Sequence, residues 1–410
     1  MFEIDTLLSP AAYDHPVAGI ELIETHISWV ILTGDFAYKI KKPVDFGFLD
    51  FSTLARRKHF CEEELRLNRR MAPDIYLAVV TINATDSGCR FEGAGEVIEY
   101  AVKMRQFEQA AQLDRMLAQG QLQAIHLDAF AQRIAEFHHS IASAGADSQF
   151  GEPATVWQPV EENFRQIRQH APAGFESALL DALEDWSRNT WQSLSAQLRA
   201  RKQDGFIREC HGDLHLRNMA WIDAQPVAFD CIEFNPALRW IDVISEVAFL
   251  VMDLHDRQQG EFANRFLNAY LEHTGDYAGV AMLRFYLVYR ALVRAKVDAL
   301  RLSQANVSAQ ERQSETREFY DYLQLANRFV QTSEPLIVLT HGLSASGKTS
   351  ITQQLLEVNG AIRIRSDVER KRLAGMAASE RGAAAIDSGL YARDMSPVSI
   401  HISEPTRLRR

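Results

Sequence analysis

The chain has 410 residues, 47% of them hydrophobic and 24% charged, which is the composition of an ordinary globular protein with room for two or three compact units. No apolar run approaches a membrane span, and the start Met1-Phe2-Glu3-Ile4-Asp5 lacks the basic residues of a signal peptide, so the sequence reads as cytoplasmic with no membrane partner. The net charge is −10; residues 331–410 hold 11 Lys/Arg against 8 Asp/Glu, or +3, which leaves −13 for residues 1–330 and argues against nucleic acid and for a cationic small molecule.

In chain order, residues 25–41 are rich in β-branched and aromatic side chains on either side of Gly34-Asp35 and predict two strands about a turn. Residues 54–70 predict a charged helix with Phe60, Leu65 and Leu67 as its apolar positions, followed by strands over 76–83 and 96–104. Leu127, Phe130, Ile134, Phe137 and Ile141 recur at helical steps, and the small and polar stretch 142–156 reads as a loop. Helical patterns resume over 160–169 and 179–201, and 282–302 is a long apolar-rich stretch. Gln331-Thr332-Ser333-Glu334-Pro335 marks the clearest boundary. The cysteines Cys61, Cys89, Cys210 and Cys231 lie far apart without C-x-x-C spacing and read as reduced, buried thiols.

Chemistry concentrates at residues 211–218, His-Gly-Asp-Leu-His-Leu-Arg-Asn, with Asp230 twelve positions after Asn218. This spells H-x-D-x-x-x-x-N plus a downstream Asp, the spacing with which a kinase-type site holds a catalytic base and two magnesium ligands. Asp213 is then the base, and Asn218 and Asp230 the metal ligands. Short strands over 206–210, 219–222 and 226–229 would set all three at strand ends or on a loop. Read as separate residues, the same letters make a turn with a capping Asp, but that reading leaves the combined spacing unexplained. His211 and His215 stand at i, i+4 without a third ligand at metal spacing, which gives zinc little support.

A second motif, Gly342-Leu343-Ser344-Ala345-Ser346-Gly347-Lys348-Thr349, is a full G-x-x-x-x-G-K-[ST]. The apolar run 336–340 before it predicts a strand, and the stretch from Ser350 onward a helix. Gly342, Ser344, Ser346, Gly347 and Ser350 would cradle phosphates through backbone amides, Lys348 would reach the β and γ oxygens, and Thr349 would hold magnesium. Residues 362–372 predict a strand running into a charged helix, with Asp367 as a helix cap in isolation. Only 410 − 349 = 61 residues follow Thr349, too few for a complete doubly wound sheet. Residues 396–410 show no helical period and end in a basic cluster, the look of a shortened tail. The P-loop is therefore expected to bind nucleotide weakly, without turnover by residues 331–410 alone.

Residues 211–218 with Asp230 resemble the aminoglycoside phosphotransferase and choline kinase branch of the protein-kinase-like fold, which prefers H-G-D and follows the metal-binding Asp with an acidic residue, here Phe229-Asp230-Cys231-Ile232-Glu233. Together with the P-loop, the chain is similar to bacterial two-part proteins that join such a domain to an ATP-binding domain. The resemblance implies that Ala37-Tyr38-Lys39 is the strand whose Lys39 contacts the phosphates, with Lys41 an open alternative on the same face. It implies that Glu64, within Glu62-Glu63-Glu64, pairs with that lysine, that residues 104–107 form the hinge against adenine, and that Asp242 braces the catalytic loop. Ser366-Asp367 with Arg370 resembles P-loop kinases in which the Asp activates the acceptor, so Asp367 joins the catalytic candidates.

The resulting expectation is an α+β chain: a two-lobed protein-kinase-like domain, with a β-rich N-lobe at 1–105 and a helical C-lobe at 106–330, then a truncated α/β P-loop NTPase module at 331–410. The implied activity is transfer of the γ-phosphate of ATP, with Mg2+, to a hydroxyl of a small and cationic acceptor. Two alternatives stay open: a P-loop kinase with a substrate-recognising front domain, and a non-catalytic nucleotide sensor.

Overall fold

The computed structural model describes residues 3–47, 49–86, 88–304, 307–331, 334–343 and 346–376, and divides into two compact units. The first comprises residues 1–122, 140–159 and 193–249, and the second residues 123–139, 160–192 and 250–410. The expected irregular tail at 396–410 lies outside the described residues.

The first unit is built on a six-stranded sheet of order β1-β2-β3-β6-β4-β5. Its strands are β1 (Glu21–Glu24), β2 (Ser28–Leu32), β3 (Phe36–Lys41), β4 (Tyr76–Thr85), β5 (Gly88–Phe91) and β6 (Val97–Arg105), and every pairing is antiparallel. Alternation along β3 decides its use. Tyr38 and Ile40 enter a core with Ile31, Val80, Ile82 and Phe91, which leaves Lys39 and Lys41 on the opposite face.

The helix Leu54–Asn68, started by the Thr53 hydroxyl accepting from Arg56 N, carries Glu64. Its inward stripe differs from the apolar positions expected. Arg57, Cys61, Glu64, Leu67 and Asn68 are the buried residues, and only Leu67 among the expected positions is one of them. Polar groups face inward because each meets a partner: Arg57 is paired with Glu99 of β6 at 2.8 Å, a buried ion pair that fixes the helix to the sheet. Arg66 Nη2 lies 2.8 Å from Glu209 and Arg70 Nη1 3.3 Å from it. The rest of the unit holds β7 (Ile207–Glu209) paired with β10 (Trp240–Asp242), and the hairpin of β8 (Met219–Ile222) with β9 (Gln225–Ala228). Asp223 and Ala224 turn that hairpin, both with positive φ, the two-residue turn that matches strand twist.

The second unit is helical. It holds most of Ala124–Ser140, Pro153–His170 and Ala178–Ser193, together with Gly260–Thr274, Val280–Leu302 and Ala309–Val330; Pro153–His170 begins inside the stretch expected as a loop, and the pattern expected over 179–201 breaks at Leu194 into Ala178–Ser193 and Ser195–Gln203. A capping box at Ser308 and Glu311 starts Ala309–Val330. The P-loop region seats on Gly260–Thr274 through polar groups. Asn268 donates from Nδ2 to Ala361 O at 3.0 Å and accepts from Arg363 N at 2.8 Å, and Glu272 receives the Arg363 guanidinium at 2.7 Å and Arg372 on its carbonyl at 2.6 Å.

In the P-loop region the strand expectation differs from what is found. Residues 334–343 and 361–365 form no strand, and Leu336, Ile337, Val338 and Leu339 are each more than half exposed. Helices Lys348–Asn359 and Ser366–Leu373 do form. A strand needs a neighbouring strand for its amides, and no described residue supplies one there. No helix among the described residues is long and apolar enough to cross a membrane.

Candidate active site

Residues 211–218 leave β7 and close with a single 3-10 turn, Leu216–Asn218, directly before β8. Gly212 has a φ of +90°, and a Cβ there would stand 2.8 Å from Leu238 O, so only glycine makes this turn. His211 is buried and committed at both ring nitrogens: Nε2 donates to Phe229 O at 2.9 Å and Nδ1 accepts from Asp213 N at 3.3 Å. Burial holds its pKa below the ordinary 6.5 despite nearby Glu246 and Asp213, which fits this neutral form. With both nitrogens used, His211 is not a zinc ligand. His215 places Nε2 3.3 Å from Asp213 Oδ2, with its ring edge-on to Phe249.

The Asp213 carboxylate accepts from Asn218 Nδ2 at 2.8 Å, and its carbonyl accepts from the same amide at 3.0 Å. Asn218 immediately precedes β8, and Asp230 follows β9 by two residues. Met219 is paired with Ala228, and Phe229 N donates to Asn218 O at 3.0 Å, so the hairpin brings both metal candidates to its open end. Asp230 takes a φ of +64°, unusual outside glycine, with its amide donating to the Tyr76 hydroxyl at 3.1 Å. Cys231 N donates to Asn68 Oδ1 at 2.9 Å. The helix of Glu64 is thus stitched to the turn of Asp230.

Lys39 and Lys41 both reach Glu64. Lys39 Nζ lies 2.9 Å from its Oε1 and 2.5 Å from Asp230 Oδ1, whereas Lys41 Nζ lies 2.7 Å from its Oε2 and donates to Glu233 Oε1. The sequence left the two lysines open; the geometry gives Lys39 the half-exposed Asp230 carboxylate and buries Lys41. Burial alone would raise the Glu64 pKa, but the two ammonium groups outweigh it and hold it at about 2. Burial likewise opposes the charge on Lys39, and Asp230, Glu64 and Glu233 outweigh it, keeping that pKa well above the ordinary value. Glu233 goes the other way: burial and its neighbour Glu64 push its pKa up despite Lys41.

One further residue departs from expectation. Asp242 does not brace residues 211–218, because its carboxylate is bidentate on Arg201 at 2.6 and 2.8 Å and caps Ile244 N at 2.9 Å. Glu246 takes that task, one helical turn further on. Its Oε1 accepts from His211 N at 3.1 Å and its Oε2 from Gly212 N at 2.7 Å. In the segment 104–107, expected as the hinge, Gln106 Oε1 accepts from Thr33 N at 3.1 Å and Gly34 N at 3.0 Å, clasping the β2–β3 turn.

In the P-loop, Gly347 (φ +81°) precedes the helix Lys348–Asn359, and Gly342 (φ +153°) opens the loop. Lys348 Nζ donates to Gly342 O at 2.7 Å, Leu343 O at 2.5 Å and Ser346 Oγ at 3.4 Å, within its own loop. Thr349 and Ser350 are exposed, and Ser344 lies outside the described residues. Asp367 is in the first turn of Ser366–Leu373 and is ion-paired with Arg365 at 3.0 Å, which opposes a free base.

The sequence pattern of the phosphotransferase enzyme family (APH) matches residues 48–283, more than half of the chain, and that of an AAA domain matches residues 337–397. Uncharacterized proteins of Mycobacterium tuberculosis and Mycobacterium bovis are each 31% identical over 384 residues, covering 92% of this chain and 74% of theirs. Among solved structures, amicoumacin kinase in complex with AMP-PNP, Ca2+ and Ami is similar with a TM-score of 0.50 at 13% identity, over 79% of this chain and 94% of that one. A sheet lysine paired with a helix glutamate, an H-G-D loop and the family match agree, and the chain belongs to the phosphotransferase enzyme family, with a protein-kinase-like fold of β-rich N-lobe and helical C-lobe followed by a P-loop-like region.

Proposed function

We propose that residues 1–330, as N-lobe 1–105 and C-lobe 106–330, form a small-molecule kinase that transfers the γ-phosphoryl group of ATP to an acceptor hydroxyl. The observation that carries this reading is the Asp213–Asn218 contact at 2.8 Å, at the end of the hairpin where Asp230 meets Lys39 at 2.5 Å. Asp213 receives the acceptor proton. Lys39, oriented by Glu64, takes the phosphate oxygens. Asp230 and the amide oxygen of Asn218 are hard oxygen donors suited to Mg2+, and the contact of Asp230 with an ammonium group supports a site that favours positive charge. Bound there, the metal would neutralise charge on the phosphates. Most of the rate then comes from positioning, as in phosphoryl transfer generally.

In this reading the module at 331–410 binds a second ATP through Gly342, Ser344, Ser346, Gly347, Lys348 and Ser350, with Thr349 toward Mg2+, while Asp367 stays outside the scheme. A cationic acceptor suits the acidic body at residues 1–330. The test is incubation of wild type and Asp213→Asn with γ-labelled ATP, Mg2+ and a metabolite extract. A labelled product made by the wild type and absent with Asp213→Asn is expected; equal labelling by both would sink the proposal.

A further inference from the structure

Five charged side chains stand in one row: Asp230, Lys39, Glu64, Lys41 and Glu233. Three segments supply them. Lys39 and Lys41 are two apart on β3 and so share a face of the strand. Glu64 comes from the helix Leu54–Asn68 and offers one carboxylate oxygen to each lysine. Asp230 and Glu233 are the two ends of the same four-residue stretch, so the row closes into a ring through the backbone of residues 230–233. One end of it is open and the rest is closed: the Asp230 side chain is 47% exposed and Lys39 13%, whereas Glu64, Lys41 and Glu233 are buried.

Kinase-type chemistry accounts for the open half of this ring and has no need of the buried half. Stability is a weak reason for keeping Lys41 and Glu233, because desolvating an ion pair offsets most of its attraction and apolar side chains of the same size commonly do as well. The geometry supplies a better one. With Lys41 on Oε2, the Glu64 carboxylate is fixed in rotation and presents Oε1 to Lys39. Without it, the Lys39 ammonium would be drawn between both oxygens, away from Asp230. Glu233 in turn anchors Lys41 and holds the far end of the turn whose near end is Asp230, a residue already in a left-handed conformation that its surroundings must enforce.

We propose that Lys41 and Glu233 are positioning residues of the phosphate and metal site, acting through Glu64 and through the turn at residues 230–233 to set Lys39 and Asp230. This rests on the kinase reading given above. Neither residue touches the reacting atoms in this scheme, so both act on how firmly the metal–nucleotide complex is held.

The experiment uses the full chain carrying Lys348→Ala, which removes the P-loop lysine, and titrates ATP by calorimetry with Mg2+ and with EDTA, at a temperature where circular dichroism finds each variant folded. If this parent shows no Mg2+-dependent binding that Asp230→Asn removes, the kinase reading itself fails. If it does, Lys41→Met and Glu233→Gln are each expected to weaken Mg·ATP binding by about tenfold or more. The combination of the two, which keeps the charge balance, should be no weaker than either alone, and Lys41→Arg should recover most of the affinity. Folded variants that bind Mg·ATP as the parent does overturn the proposal. So does failure of both single variants and their combination to fold, since the pair would then be structural support only.

Discussion

Glu246 Oε2 accepts the amide of Gly212 at 2.7 Å while its Oε1 accepts that of His211 at 3.1 Å, so one buried carboxylate holds both residues that precede Asp213. Replacing Glu246 with Ala leaves two buried amides without their acceptor, at roughly 1–3 kcal/mol each. Phosphotransfer is expected to fall further than ATP affinity, because the loop loses its aim while the residues assigned to the nucleotide stay. Parallel measurement of kcat and of ATP binding in Glu246→Ala checks this; a kcat equal to wild type would contradict it.

Gly212→Ala should be the harsher change. The added Cβ meets Leu238 O at 2.8 Å on a backbone with φ of +90°, and such a conformation costs about 1–3 kcal/mol for a non-glycine residue before the clash is counted. Thermal unfolding is expected several degrees lower, with phosphotransfer lost. A variant that melts with the wild type would show that the loop has room the structure does not give it.

Lys296, on Val280–Leu302, is partly buried, and desolvation with the nearby Arg290 pulls its pKa down to about 8 despite Glu162. Its ordinary value is 10.5. Between about 8 and 10.5 the unfolded chain holds the proton and the folded chain does not, so this group makes stability rise with pH across that window and destabilises fully below it. Lys296→Met is expected to stabilise the chain by about 1–3 kcal/mol at pH 7 and by less at pH 10. Urea unfolding of both proteins at the two pH values decides the matter; an equal difference at both would refute the assignment.

The seat of the P-loop region can be loosened at one residue. Asn268 makes two hydrogen bonds to the backbone of Ala361 and Arg363, each worth about 1 kcal/mol. Asn268→Ala should therefore speed amide exchange over residues 361–372 while the helices Val280–Leu302 and Ala309–Val330 keep their protection. Unchanged exchange at residues 361–372 would count against this contact.

What could be read in advance was whatever local spacing encodes. Residues 211–218 with Asp230, the strands carrying Lys39, and Glu64 on its helix all stand close to where pattern placed them, because turn chemistry and periodicity are short-range. Glu246 gave no such signal. It is 34 residues from Gly212 and looks like any polar residue among Val243, Ile244 and Val247. The inward face of Leu54–Asn68 escapes the pattern for a related reason: hydrophobic periodicity assumes that apolar groups face inward, and there Arg57 and Glu64 do so because Glu99, Lys39 and Lys41 meet them. Residues 336–340 carry strong strand propensity, but a strand exists only where a neighbour takes its hydrogen bonds.

That bare stretch also bears on how the protein behaves in the test tube. Leu336, Ile337, Val338 and Leu339, exposed at 84%, 77%, 54% and 89%, are four adjoining aliphatic side chains in water, and such a patch is adhesive to anything greasy, including itself. Concentrated stocks should cloud before dilute ones, mild detergent should clear them, and a lysine at position 337 or 339 should raise the solubility limit without touching the chemistry of the front domain.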